Sequence, residues 1–370
     1  MTFDPRARAA VLDIHRAVEV MEMTTSTKEP RTVERFDRFR DRKQRNRRIG
    51  AILVAGALVV TGIVVVSMNV GGKEDGAIPA TPGALEGRLL FEVYGGDRSQ
   101  LYAIDAAGGP VQDLGLDVDP GAHWSPDGKT ILVTSTAGPA ETALPGRPAT
   151  VASDGSDFRL LDGVEDRTLN LACLVFSPDG TRIACGGFND LGVPTGIYTV
   201  RATDGGGLRM VTDADGVPAD YSPEGEQIVF VGEDPDTGSS SDEAGTLFVV
   251  GSDGTNLREI TEPNAVLPLP FTHGGWSPDG QWIVFMGADR TLRLVHPDGT
   301  DEHAVPLDPD AGVGEVVGAT WSPDGAWIAF SARSVGEEDS DIYLVRPDGS
   351  ELQQLTETPS VGEYVTDWTA

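Results

Sequence analysis

Two hydrophobic patterns divide this chain. From Ile49 to Val70 it reads IGAILVAGALVVTGIVVVSMNV, 22 residues without a charge. At about 1.5 Å per residue, a helix of that length covers the roughly 30 Å apolar core of a bilayer. The stretch therefore predicts one transmembrane helix. From Arg88 onward the pattern changes to short apolar runs set between Gly, Pro, Asp and Ser. Runs of that kind predict β-strands joined by tight turns. Residues 71–87, rich in Gly, Pro and Ala, predict a linker between the two regions.

The strand-forming region repeats itself. Trp124-Ser125-Pro126-Asp127-Gly128 recurs as Phe176–Gly180, Tyr221–Gly225 (with Glu224 for Asp), Trp276–Gly280 and Trp321–Gly325. The aromatic anchors stand 52, 45, 55 and 45 residues apart, and Trp368 is a sixth anchor 47 residues further on. Pro presets φ for a turn, Asp bonds its own backbone, and Gly accepts positive φ. Each motif thus predicts a hairpin turn after a strand that ends in the aromatic. Apolar strands follow, such as Thr130–Val133, Gln227–Val231 and Trp327–Ser331. Third strands such as Ile197–Arg201 and Ile342–Arg346 run into a second turn, marked by Asp-Gly at Asp154, Asp204, Asp253, Asp298 and Asp348. A short fourth strand, as in Leu257–Thr261, closes each unit. Four strands per unit of this length predict a propeller blade.

The two ends complete one another. Arg88–Tyr94, Gln100–Asp105 and Val111–Leu114 supply three strands that lack a first one, and Tyr364–Thr369 supplies a first strand with nothing after it. The expected architecture over residues 88–370 is an all-β, six-bladed β-propeller, closed by strand exchange between the ends and preceded by one transmembrane helix. An aromatic before Ser-Pro-Asp-Gly, followed by strands like Trp321–Phe330 and Ile342–Gly349, resembles the WD-type repeat of TolB-like β-propellers. The resemblance covers the propeller alone, and a membrane anchor is expected in place of the N-terminal α/β domain of TolB. The resemblance implies the fold. Function differs widely among propellers and must be argued from a site.

Charge separates the same compartments. Residues 1–48 carry a net +5, residues 49–70 none, and residues 71–370 a net −35, together the chain's −30. The basic run Arg42–Arg48 stands directly before the apolar stretch. The positive-inside rule then places residues 1–48 in the cytoplasm as a short basic tail and the propeller outside the cell membrane. Val11, Ile14, Val18 and Met21 fall at helical spacing within that tail. So acidic an outer region excludes nucleic acid as its partner, because phosphate is repelled.

Signals for chemistry are sparse. The sequence has no Gly-x-Ser-x-Gly, no His-Glu-x-x-His and no phosphate loop followed by Lys. No residue reads as catalytic. His123 and His273 lie in or near first strands of units that face each other across a six-fold ring, which makes them central-channel candidates. His296 and His303 flank an exposed turn and are read as solvated. No cofactor is required, although Asp-x-Asp-x-Gly at Asp117, Asp234 and Asp308 suits the many oxygen ligands that calcium takes. Cys173 and Cys185 flank one Ser-Pro-Asp-Gly turn. A disulfide and a pair of buried thiols both remain open, since Cys185 takes the place of Phe230, Phe285 and Phe330.

Topology gives the propeller two faces. The short turns lie on one, and the long irregular connections on the other. Long loops on a rigid scaffold are common binding surfaces. These loops carry Glu233, Asp234, Asp236, Asp242, Glu243, Glu337, Glu338 and Asp339, the candidate binding residues. The sequence thus predicts a membrane-anchored module that binds a protein or an envelope polymer. The alternative is an enzyme acting on a carbohydrate or small substrate at the central channel.

Overall fold

The computed structural model describes residues 85–94, 99–135, 147–163, 169–189, 193–232, 245–267, 275–334, 339–358 and 361–370. The expected tail (1–48), transmembrane helix (49–70) and most of the linker (71–87) lie outside the described residues. Among the described residues, no helix is long and apolar enough to cross a membrane.

The described chain is built of antiparallel strands, with one 3₁₀ turn at Pro309–Ala311. The first three strands are β1 (Arg88–Tyr94), β2 (Ser99–Asp105) and β3 (Gln112–Trp124). They are followed by β4 (Thr130–Ser135), β5 (Arg147–Ala152) and β6 (Arg159–Leu160). The next four are β7 (Asn170–Phe176), β8 (Arg182–Phe188), β9 (Pro194–Arg201) and β10 (Arg209–Thr212), hydrogen-bonded in that order. So are β11 (Gly216–Tyr221), β12 (Gln227–Gly232), β13 (Thr246–Gly251) and β14 (Arg258–Glu259). A three-stranded sheet comprises β15 (Ile283–Met286), β16 (Leu292–Val295) and β17 (His303–Ala304). The last complete set is β18 (Val313–Trp321), β19 (Ile328–Ser334), β20 (Ser340–Val345) and β21 (Gln353–Gln354). Strand β22 (Glu363–Thr369) then returns to pair with β1.

Two strands depart from expectation. The sequence suggests separate strands at Val111–Leu114 and before Trp124, and the structure makes them one, β3. Its first part pairs with β2 and its second with β4, with a register break between Asp119 and His123. Glu92 supports that break by accepting hydrogen bonds from the Gly121 and Ala122 amides at 2.9 and 3.0 Å. Trp276, expected to end a full first strand, makes a single bridge to Ile283. Gly275 beside it has no side chain because a Cβ there would stand 2.7 Å from Asp220 Oδ2.

The Ser-Pro-Asp-Gly turns form as predicted, and the serine explains why they repeat. Ser322 Oγ donates to Asp324 Oδ1 at 2.6 Å and accepts the Trp327 amide at 2.8 Å. Ser177 and Ser277 make the same pair of bonds. The motif glycine closes the turn with positive φ, 70° at Gly325, where a side chain would be strained. The serine is nearly buried, so the hydroxyl satisfies the turn without water.

The core lies in seams between successive sheets. Trp124 packs in one cluster with Leu90 of β1, Leu101 of β2, and Ile131 and Val133 of β4. Trp321 does the same between the β15–β17 and β18–β21 sheets. The seam that holds Trp368 joins Leu89 and Phe91 of β1 to Trp327 and Leu344 of the last sheet. Cross-strand ring pairs recur inside the sheets, Phe230 on Phe248 and Phe330 on Tyr343. In the third unit Cys185 replaces the first ring. It lies opposite Cys173, and the two are joined as a disulfide. The bridge fills a fully buried core position, so the two readings left open by the sequence resolve to the bonded one.

Candidate functional site

One register position of the repeat faces a common cavity. The residues directly before the six aromatic anchors are His123, Val175, Asp220, Gly275, Thr320 and Asp367. All of them line a single cavity of about 290 Å³. The motif prolines Pro126, Pro178 and Pro323 border the same cavity, which places it at the end of the molecule that carries the short turns. A groove of about 590 Å³ runs beside it, between the turns at Ser125 and Asp179.

Asp220 and Asp367 hold the first strand of one unit to that of the next. Asp367 Oδ2 accepts the Trp124 amide at 2.7 Å, and its Oδ1 accepts the Trp368 amide at 2.7 Å. Asp220 repeats this arrangement with the Trp276 and Tyr221 amides at 2.9 and 2.7 Å. His123 Nδ1 lies 3.4 Å from Asp367 Oδ2, a charge-compatible contact.

Burial dominates the electrostatics. The Asp220 carboxyl lines the cavity yet lies deep in the molecule, and desolvation pushes its pKa up to about 7. The Trp276 amide and His123 oppose the shift, and Asp367 adds to it. Glu92, wholly buried, is pushed up to about 6 by desolvation, against the pull of the Ala122 and Gly121 amides. At the turns the sign reverses. Hydrogen bonds from Ser177 to Asp179, Ser277 to Asp279, and Thr300 to Asp298 hold those turn carboxyls below the usual range. The turn end therefore carries ionised acids around a cavity in which Asp220 takes up a proton readily.

The sequence-predicted residues are distributed unevenly. Glu233, Asp234, Asp236, Asp242, Glu243, Glu337, Glu338 and His273 lie outside the described residues. Asp339 is half-buried just before β20, and its charge helps to raise the pKa of Asp341, which burial raises first. His123 lines the cavity. Its partners Asp220 and Asp367 were missed, although the signal was present, since both stand directly before an aromatic anchor. His296 is not simply solvated: its ring stacks on Trp282 at 3.8 Å and its Nδ1 lies 2.6 Å from the Gln281 carbonyl. Asp308 of the calcium-like pattern caps the 3₁₀ turn by accepting the Asp310 amide. Among the described residues, no three His, Cys, Asp or Glu side chains assemble as a metal site.

No protein-family model and no curated protein sequence matches the chain. Solved structures do match in fold. A putative TolB from Agrobacterium tumefaciens superimposes with a TM-score of 0.52 at 17% identity, covering 77% of this chain and 99% of that one. A chain of the nidogen/laminin complex superimposes with a TM-score of 0.54 at 12% identity, covering 76% and 98%. Similarity at these identities shows the fold, which is a β-propeller.

Proposed function

We propose that this chain is a membrane-anchored β-propeller that binds a protein or envelope polymer outside the cytoplasm. In this reading the propeller has six blades, with β22 and β1–β3 completing one of them and closing the ring. The observation that carries the binding role is the use made of the interior acids. Asp220, Asp367 and Glu92 are each committed to backbone amides of a neighbouring strand, so their chemistry serves the scaffold. A rigid scaffold leaves recognition to its surface loops. The nidogen/laminin complex, in which a propeller of this fold is part of a protein assembly, supports a protein as partner. The uncharged stretch Ile49–Val70, with basic residues on one side only, supports the anchor and its orientation.

The test is in-cell crosslinking followed by affinity capture of the full-length chain from its native envelope. A reproducible partner, lost when the acids of Glu233–Glu243 are changed to Gln and Asn, supports the binding role and locates its face. A partner retained by that variant moves the contact to another surface, either the Glu337–Asp339 loop or the turn end. The second reading, an enzyme of the central channel, draws on the Asp220–His123–Asp367 cavity. It predicts that carbohydrates or small substrates raise the melting temperature and that Asp220→Asn abolishes the rise.

A further inference from the structure

Among the described residues, β22 is the first strand that reaches its sheet from the far end of the chain, and its Asp367 shares a cavity with His123 and Asp220 of other strands. We propose that Asp220, His123 and Asp367 form a proton-dependent clasp on β22, in which proton uptake tightens the seating of the strand and proton loss loosens it.

The geometry gives the clasp its sense. Asp367 belongs to β22, His123 to β3 and Asp220 to β11, and all three line the same cavity. Both carboxylates are fixed in place by amide bonds, so they cannot swing apart when both are ionised. The charge of Asp367 raises the Asp220 pKa and His123 lowers it, so the two carboxylates are coupled through the cavity. The remaining residues at this register, Val175, Gly275 and Thr320, bring no charge. Glu92 of β1 acts on His123 electrostatically, Arg88 lies over the Trp124 ring at 5.4 Å, and Asp179 and Arg182 act on the adjacent Tyr221 with opposite signs. When β22 lifts, Asp367 leaves and water reaches Asp220. The open state therefore binds a proton less readily than the closed one, and acid favours the closed one. The Asp220 carboxyl stands at about 7 when closed, against an ordinary 3.8. A full return to that value on opening makes closure up to roughly tenfold more favourable at pH 6 than at pH 8.

Hydrogen–deuterium exchange on the full-length chain tests this, with rates corrected for the intrinsic effect of pH. The peptide covering Glu363–Thr369 is compared with the internal strand Thr246–Gly251. The expected result is up to tenfold greater protection of the terminal strand at pH 6 than at pH 8, read in a time window in which that strand exchanges while the internal strand stays protected at both pH values. Asp220→Asn should make the terminal strand equally protected at both pH values. His123→Gln, which removes the group that lowers the Asp220 pKa, should move the midpoint of the response to higher pH, and it decides the matter if Asp220→Asn does not fold. Equal protection of the wild-type strand at the two pH values, or an unmoved midpoint in His123→Gln, overturns the clasp.

Discussion

Asp367 Oδ2 accepts the backbone amide of Trp124 at 2.7 Å, across 243 residues of sequence. The bond joins the last strand of the chain to the unit that follows β1–β3. Its counterpart, Asp220 with Trp276, joins two internal units in the same way. The end of the chain is therefore held by the same device that holds its interior. Asp367→Ala removes two charge-assisted amide bonds and the contact with His123. Such bonds contribute roughly 1.5–3 kcal/mol each when partly buried, so the loss should be about 3 kcal/mol or more. A denaturant titration measures it, and a change below about 0.5 kcal/mol would mean that the strand is held by packing alone.

Deletion of Tyr364–Ala370 should be far more damaging than the loss of seven terminal residues suggests. It removes Val365 and Trp368 from the seam with Trp327 and Leu344, and leaves β1 with a bare edge. The measurement is thermal melting of the full-length and truncated chains. An unchanged melting temperature would contradict the paired ends.

Trp321 is buried between two sheets, and its indole donates to the Gly275 carbonyl at 3.1 Å. Trp321→Ala should destabilise the propeller by roughly 3–5 kcal/mol. Leu257, exposed on a short outer segment, provides the contrast. Leu257→Ala should stay within about 0.5 kcal/mol.

The Cys173–Cys185 bridge closes a short loop, with a sequence separation of 12. Loop-closure entropy for that length contributes about 3 kcal/mol in the chain-entropy treatment. Cys173→Ala with Cys185→Ala should lower the denaturation midpoint accordingly, and reductant should then have no further effect. A variant as stable as the parent would assign the site to packing rather than crosslinking.

Stability should rise as pH falls from 8 towards 5. Asp220 and Glu92 have folded pKa values of about 7 and 6, above their ordinary 3.8 and 4.5. The folded state therefore binds these protons more tightly, and stability grows as pH drops through 7 and then 6. Turn acids such as Asp179 and Asp298 act in the opposite sense. Their depressed pKa values contribute stability above about 4 that is lost as pH falls further. Melting temperature against pH should peak between these limits, and Asp220→Asn should flatten the alkaline side.

How much of this was legible in the sequence depended on whether a local rule governed the feature. The turns were legible because Pro, Asp and Gly each act through their own backbone, and the anchors because their spacing repeats. The Ser322 hydroxyl that completes its turn lies within the motif as well. The cavity was only half legible. His123 was singled out as a rare residue, whereas Asp220 and Asp367 were lost among the many acids of the chain. Their position before the aromatic anchor is local, but their role depends on contact with the next unit, which no local pattern encodes. The fusion of two strands into β3 was hidden for the same reason, because it rests on Glu92 meeting Gly121 and Ala122 from a different strand.

The central claim is that the propeller stands outside the membrane while the basic tail stays in the cytoplasm. Lysines are placed well for a direct test. Residues 71–370 contain two, Lys73 and Lys129, and the tail contains Lys28 and Lys43. Lys129 is exposed, with 79% of its side chain open to solvent. A membrane-impermeant amine reagent is applied to intact cells, and the labelled sites are read by mass spectrometry. The account predicts labelling of Lys73 and Lys129 in intact cells, with Lys28 and Lys43 labelled only after permeabilisation. Labelling of Lys28 and Lys43 in intact cells while Lys129 stays protected would contradict it.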